Sequence, residues 1–125
     1  MVSGNIKISA TGIALPDSIL RNDDLIRLVN NYDSVRGGKS LSDWIMDHYG
    51  IGTRRWMKDG EVPSDYGARA AMAAIERASI PTSDIDFLIV NTVFGDYSQP
   101  TTATAIQHKV GMRTGTFALE INMPC

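Results

Sequence analysis

The stretch FLIVNTVF (Phe87 to Phe94) constrains the fold of this chain more than any other. It is apolar at nearly every position, so a strand there needs cover on both faces, as in the middle of a sheet packed between helices. The flanking segments fit that role. SDYGARAAMAAIERASI reads as a helix capped by Ser64, with Ala68, Ala71, Met72 and Ile75 on one face. Its alanines and Gly67 predict close approach to a neighbouring backbone. PTTATAIQHKVG reads as a helix with Pro100 leading in and Gly111 leading out, and GTFALEIN as another strand.

Upstream, IKISATGIALP (Ile6 to Pro16) is β-branched and partly alternating, which predicts a strand ended by a turn. NDDLIRLVNNY predicts a helix with Asn22 as cap and Asp23 and Asp24 at its positive end. DSVRGGKS reads as a glycine-bearing loop. SLSDWIMDHYG predicts a short helix with Ser40 as cap, Asp43 three residues on and Gly50 as the stop. IGTRRWMKDGEVP reads as a polar, partly extended connection. The order of strand, helices, strand, helix, strand is an α/β layered arrangement. Its last strand feeds no helix. The completing half is therefore expected on a separate chain or a further segment, because an open central strand leaves an adhesive edge.

At 125 residues, 43% of them hydrophobic, the chain has the length and apolar content of one ordinary domain. A formal net charge of −2 gives no basic excess of the kind nucleic-acid binding requires. No apolar run approaches the ~18 residues needed to cross a bilayer, and the first residues lack the pattern of a secretory leader. A single cysteine forms no internal disulfide, which fits a reducing, cytoplasmic setting.

Candidate chemistry narrows quickly. GGKS (Gly37 to Ser40) resembles the end of a phosphate-binding loop, but Asp33 stands where that motif needs glycine and no strand precedes it. His48 and His108 have no metal-ligand spacing with each other or with Cys125, so no metal is expected. Cys125 remains. A lone cysteine is most often a small buried hydrophobe. This one follows a predicted buried strand, at the edge where α/β sheets present reactive groups. A helix beginning there would favour the thiolate through its free amides.

Taken in order, several stretches resemble the thiolase superfamily, most closely its β-ketoacyl-acyl-carrier-protein synthase III branch. They are GIALPDSILRNDDL, SDWIMDHYGIGTRRW, SDYGARAAMAAI, DIDFLIVNTVFGDYSQPTTATAIQHKVG and FALEINMPC. The resemblance implies that residues 1–125 are the N-terminal part of a thiolase-like domain, a layered α-β-α-β-α fold incomplete without the following segment. It makes Cys125 the acyl-accepting nucleophile. Catalytic His and Asn residues would lie on the remaining C-terminal segment, so this chain alone is expected to be inert. Coenzyme A or phosphopantetheine thioesters would be substrates, with no covalently bound cofactor. Acyl carrier protein or acyl-coenzyme A and a homodimer partner are the implied associations.

On the same resemblance Trp44 matches a tryptophan that stacks on the adenine of coenzyme A, although an indole anchoring an amphipathic helix fits the residues equally well. His48 stands where the family commonly has an arginine near the coenzyme A phosphates, and is a weaker, pH-dependent anion partner. Arg36 and Lys39 could meet an acidic carrier or a phosphate; a solvated loop is the simpler reading. Arg54 and Arg55 are open to a surface role. Gln99 replaces an apolar residue that reaches across the family's dimer interface into the acyl pocket. Pro124 replaces alanine and removes one N–H beside the nucleophile. These departures favour secondary metabolism over fatty-acid initiation and leave a second hypothesis, a non-catalytic partner subunit that shapes a pocket. Simple binding of a carrier or coenzyme A is a third.

Overall fold

The computed structural model of the chain describes residues 6–29 and 31–123, apart from the side chains at positions 35 and 36. Its contacts divide into two compact units, residues 16–59 and residues 1–15 with 60–125.

In the first unit, strand β1 (Ser18–Arg21) pairs antiparallel with β2 (Thr53–Trp56), in the register Ser18 opposite Trp56 and Arg21 opposite Thr53. The single turn α1 (Asn22–Leu25) follows β1 directly. Asn22 lies inside α1 rather than capping it. Its buried amide donates to Ile51 O at 2.7 Å and accepts from Arg54 Nη2 at 2.9 Å, so a tertiary partner has claimed a side chain that local pattern assigned to the helix end. Asp24 performs the capping instead, accepting from Arg21 N at 3.0 Å. The glycine-bearing loop holds a turn of helix, α2 (Ser34–Gly37). Next, α3 (Leu41–Tyr49) has the predicted boundaries. Ser40 Oγ accepts from Asp43 N at 3.0 Å, and Gly50 ends the helix in the left-handed region with φ 66°.

In the second unit, α4 (Pro63–Ala78) packs on α5 (Thr102–Val110), which packs on strands β3 (Phe87–Asn91) and β4 (Phe117–Ile121). The two strands are parallel, with Phe87 opposite Phe117 and Asn91 opposite Ile121. Ala68, Ile106 and Val110 form the buried core, joined by Ala71, Ile75, Leu88, Val90 and Met112. At Gly67 the close approach is to a side chain rather than a backbone, since a Cβ there would lie 2.5 Å from Ile106 Cδ1; the backbone that comes close to α4 is that of Gly12, beside Ala70 and Ala74. Met72 stays 43% exposed, outside the core face assigned to it.

Three further expectations are corrected. Ser64 is not the cap of α4; Val62 is, and Ser64 sits one residue inside the helix with its hydroxyl engaged elsewhere. Residues 6–16 pair with no strand among the described residues, and Ile6 and Ile8 are exposed. Alternation alone does not make a strand; it needs a partner's amides and carbonyls, and this segment lies instead against α4. Among the described residues the β3 strand is covered on one face only. Leu88 and Val90 face the helices, whereas Phe87 and Ile89 are more than half exposed alongside Phe117 and Leu119. Phe87 and Phe117 stack on that open face with ring centroids 4.9 Å apart.

Candidate functional site

The helix α3 exposes one of the two groups of candidate residues. Its buried positions are Leu41 and Ile45, one turn apart. Trp44 and His48 share the same four-residue spacing and lie on the next stripe, half-buried and exposed respectively. The imidazole stacks on the indole, with centroids 4.4 Å apart and planes 27° from parallel. His48 Nδ1 lies 2.7 Å from Trp44 O. A carbonyl only accepts, so Nδ1 carries the hydrogen and Nε2 is the nitrogen left for a ligand. Tyr49 meets the indole edge-on at 5.6 Å, and Tyr32 is tilted at 6.5 Å. The Tyr32 hydroxyl reaches Lys39 O at 2.9 Å and so ties the preceding loop to the start of α3.

Lys39 is not a loose solvated cation. Its ammonium lies 2.5 Å from Asp47 Oδ2 on α3, and their shared hydrogen bond and charge attraction raise the lysine's pKa and lower the carboxylate's. Arg36 has its side chain outside the described residues. Arg54 holds Asn22, as above, and its Nη1 is buried with no partner among the described residues. Arg55 Nη1 donates to Pro16 O at 3.2 Å and to Asp17 O at 3.4 Å, which secures the start of β1.

The other group lies at the carboxyl edge of β3 and β4. Because the strands are parallel, both release the chain at the same edge. Beyond β4, Met123 N donates to Asn91 Oδ1 at 3.3 Å and Asn122 Nδ2 to Val93 O at 3.2 Å. The loop after β3 carries Gln99, exposed and joined to Pro100 by a cis peptide bond. A polar cleft of about 460 Å³ opens here, lined by Asp96, Tyr97, Ser98, Glu120 and Asn122 among others. Pro124 and Cys125 lie outside the described residues. Trp44 and His48 belong to one unit and Gln99 to the other.

Sequence reasoning passed over Asp96, Lys109 and Glu120 beside this edge and gave Ser64 only a capping role. Asp96 accepts from Ser64 N at 2.9 Å and from the Ser64 hydroxyl, and Lys109 Nζ reaches that hydroxyl at 2.5 Å. Glu120 Oε2 accepts from Ala103 N at 3.0 Å, beside the positive end of α5. Glu120 carried a readable signal, an acid inside an otherwise apolar strand. Asp96, Ser64 and Lys109 carried none, because their meeting depends on how α4 and α5 pack. Among the described residues no group of three His, Cys, Asp or Glu side chains is placed to hold a metal ion. Among the described residues no helix is long and apolar enough to cross a membrane.

Lys109 Nζ also lies 2.6 Å from Asp65 Oδ1. That hydrogen bond and the Val62 amide hold the Asp65 carboxyl below its ordinary pKa. A depressed carboxylate stabilises the fold above its unfolded-state value, and the contribution disappears as pH falls through the folded value. Both groups are about a third exposed, so the effect is modest. Thermal midpoints of the parent and Asp65→Asn are expected to differ at pH 6 and to converge as pH falls through the depressed folded value.

No protein-family model matches the chain. It is 40% identical over 119 residues to a β-ketoacyl-[acyl-carrier-protein] synthase III of Thiobacillus denitrificans, covering 95% of this chain and 34% of the relative. A protein of the same name from Hyphomonas neptunium is 36% identical over 118 residues, covering 94% of this chain and 33% of its own length. Among solved structures, 3-oxoacyl-[acyl-carrier-protein] synthase III of Aquifex aeolicus superimposes with a TM-score of 0.70 at 29% identity. That match covers 92% of this chain and 34% of the other. OleA of Xanthomonas campestris with bound cerulenin gives 0.73 at 25% identity over 91% and 33%. The chain thus spans about a third of the length of the relatives it matches. By sequence and by fold the chain is similar to about a third of the length of the β-ketoacyl-acyl-carrier-protein synthase III proteins.

Proposed function

We propose that this chain supplies the cysteine-bearing part of an acyltransferase of the β-ketoacyl-acyl-carrier-protein synthase III type. The Cys125 thiolate attacks the carbonyl carbon of an acyl thioester on coenzyme A or a carrier's phosphopantetheine. A new S–acyl bond forms, and the carrier's sulfur leaves as a thiolate that takes up a proton. The acyl group then passes to a carrier-bound or small-molecule acceptor, in fatty-acid synthesis or secondary metabolism. In the decarboxylative version a malonyl thioester loses carbon dioxide, its carbanion attacks the Cys125 thioester, and the cysteine thiolate is released. Catalytic His and Asn belong to a further segment, so the chain without it is inert, and the working enzyme is a cytoplasmic homodimer.

The observation that carries this reading is similarity of up to 40% identity along 95% of the chain to proteins named for this reaction. The local geometry supports it. The parallel strands release Asn122 and Met123 beside the loop that bears Gln99, in reach of a substrate held at that edge. Trp44, half-buried, carries the exposed His48 ring stacked on its indole, and a purine can take the place of that ring. With Nδ1 committed to Trp44 O, His48 Nε2 can donate to an anionic group of the same ligand only as the imidazolium.

Incubating the assembled protein with a short acyl-coenzyme A should add one acyl mass to the peptide that contains Cys125. Trp44→Ala should slow this labelling on the order of 10-fold at low thioester concentration, the cost of one lost base-stacking surface. Acyl mass on other residues with Cys125 unmodified, in a protein that turns over, would overturn the proposal.

A further inference from the structure

One face of the Trp44 indole is already occupied. The His48 imidazole lies over it, with ring centroids 4.4 Å apart and planes 27° from parallel. A hydrogen bond fixes the imidazole there, because Nδ1 donates to Trp44 O at 2.7 Å. Around the indole, Tyr49 meets it edge-on at 5.6 Å and Tyr32 is tilted at 6.5 Å, with its hydroxyl tied to Lys39 O at 2.9 Å. Trp44 is half-buried, whereas His48 is exposed. The imidazole is therefore the part of this cluster that can move. Rotation about its side-chain bonds carries it into solvent, with the loss of the stack and of one hydrogen bond.

Stacking is exclusive. A flat ring lying against the indole leaves no room on that face for a second one. A purine that stacks there must first displace the imidazole and break its bond to Trp44 O. We infer that His48 is a built-in competitor, whose ring caps the Trp44 face in the free protein and lowers its apparent affinity for the purine end of a ligand. The inference rests on the reading above that Trp44 takes a purine, and adds to that site a means of restraint. The measured dissociation constant is the intrinsic one divided by the fraction of molecules whose indole face is uncovered. A closure worth one net hydrogen bond keeps the face covered in most molecules and weakens binding about 3- to 10-fold. The consequence has the opposite sign to that of an anion partner. Removing an anion partner weakens a phosphate-bearing ligand, whereas removing a cap tightens any flat one.

Adenosine tells the two roles apart, since it carries a purine and no phosphate. Added to the assembled enzyme labelled with fluorotryptophan, it should shift the fluorine NMR signal of Trp44, which is assigned by its loss in Trp44→Phe. At a single pH, His48→Ala and His48→Gln, both without a ring, should each bind adenosine about 3- to 10-fold more tightly than the parent. Equal or weaker binding by the ringless variants would overturn the inference. So would a Trp44 signal that adenosine leaves unmoved in every variant, and purine stacking would then fall with the cap. Acylation of Cys125 is measured separately on the same proteins, so failure of the cap is told apart from failure of the acyltransferase reading.

Discussion

Cys125→Ala should lower acyl transfer by the assembled enzyme at least about 1,000-fold and abolish the acyl adduct, because removing a nucleophile takes away the covalent step itself. On the proposed acyltransferase reading, the physical demand on this sulfur is ionisation. A free thiol titrates near 8.5 and is only a few per cent thiolate at neutral pH. An acyl acceptor needs amide dipoles or a neighbouring cation to bring that value down. As the chain has a single cysteine, its alkylation reports on that one group. The rate of inactivation by iodoacetamide should therefore rise with pH to a plateau, with its midpoint below that of a free thiol. Prior acylation should block it. Undiminished turnover by Cys125→Ala would assign the chain a non-catalytic place in its assembly.

The parts of this reading visible in the residues were those fixed by neighbours in the chain. Ser40, Asp43 and Gly50 mark both ends of α3 because a cap and a left-handed stop act within a few residues. Gly111 does the same for α5, with φ 75°. Trp44 and His48 could be placed on one helical stripe from their spacing, although nothing in the spacing predicted that the imidazole would stack on the indole. What failed to show was set by distant partners. The Ser64 hydroxyl turns to Asp96, 32 positions away, and so leaves the cap to Val62. Asn22 turns to Ile51 and Arg54 for the same reason. The apolar run at 87–94 predicted two covered faces, but periodicity reports what a strand needs and cannot say which element supplies it. Only the helical side of β3 is covered among the described residues.

Gly12→Ala should be the most destabilising single methyl added anywhere in the second unit. A Cβ at Gly12 would lie 2.0 Å from Ala70 O and 2.6 Å from Ala74 N, both backbone atoms of α4. Side chains can rotate out of such a clash, but a helix backbone cannot. The segment at 6–15 would have to lift by an ångström or more, and Arg77 Nη1 would lose its 3.0 Å bond to Thr11 O. Overpacking of this kind costs about 1–3 kcal/mol, at times more. At roughly 4–8 °C per kcal/mol for a unit of this size, a thermal midpoint lowered by on the order of 10 °C is expected. Gly52→Ala is the control. Its Cβ would meet only Met46 Sδ at an ordinary 3.8 Å, and the midpoint should stay within a few degrees. If the two variants melt together, residues 6–15 do not rest on α4, and the alanines of that helix face something other than this chain's first segment.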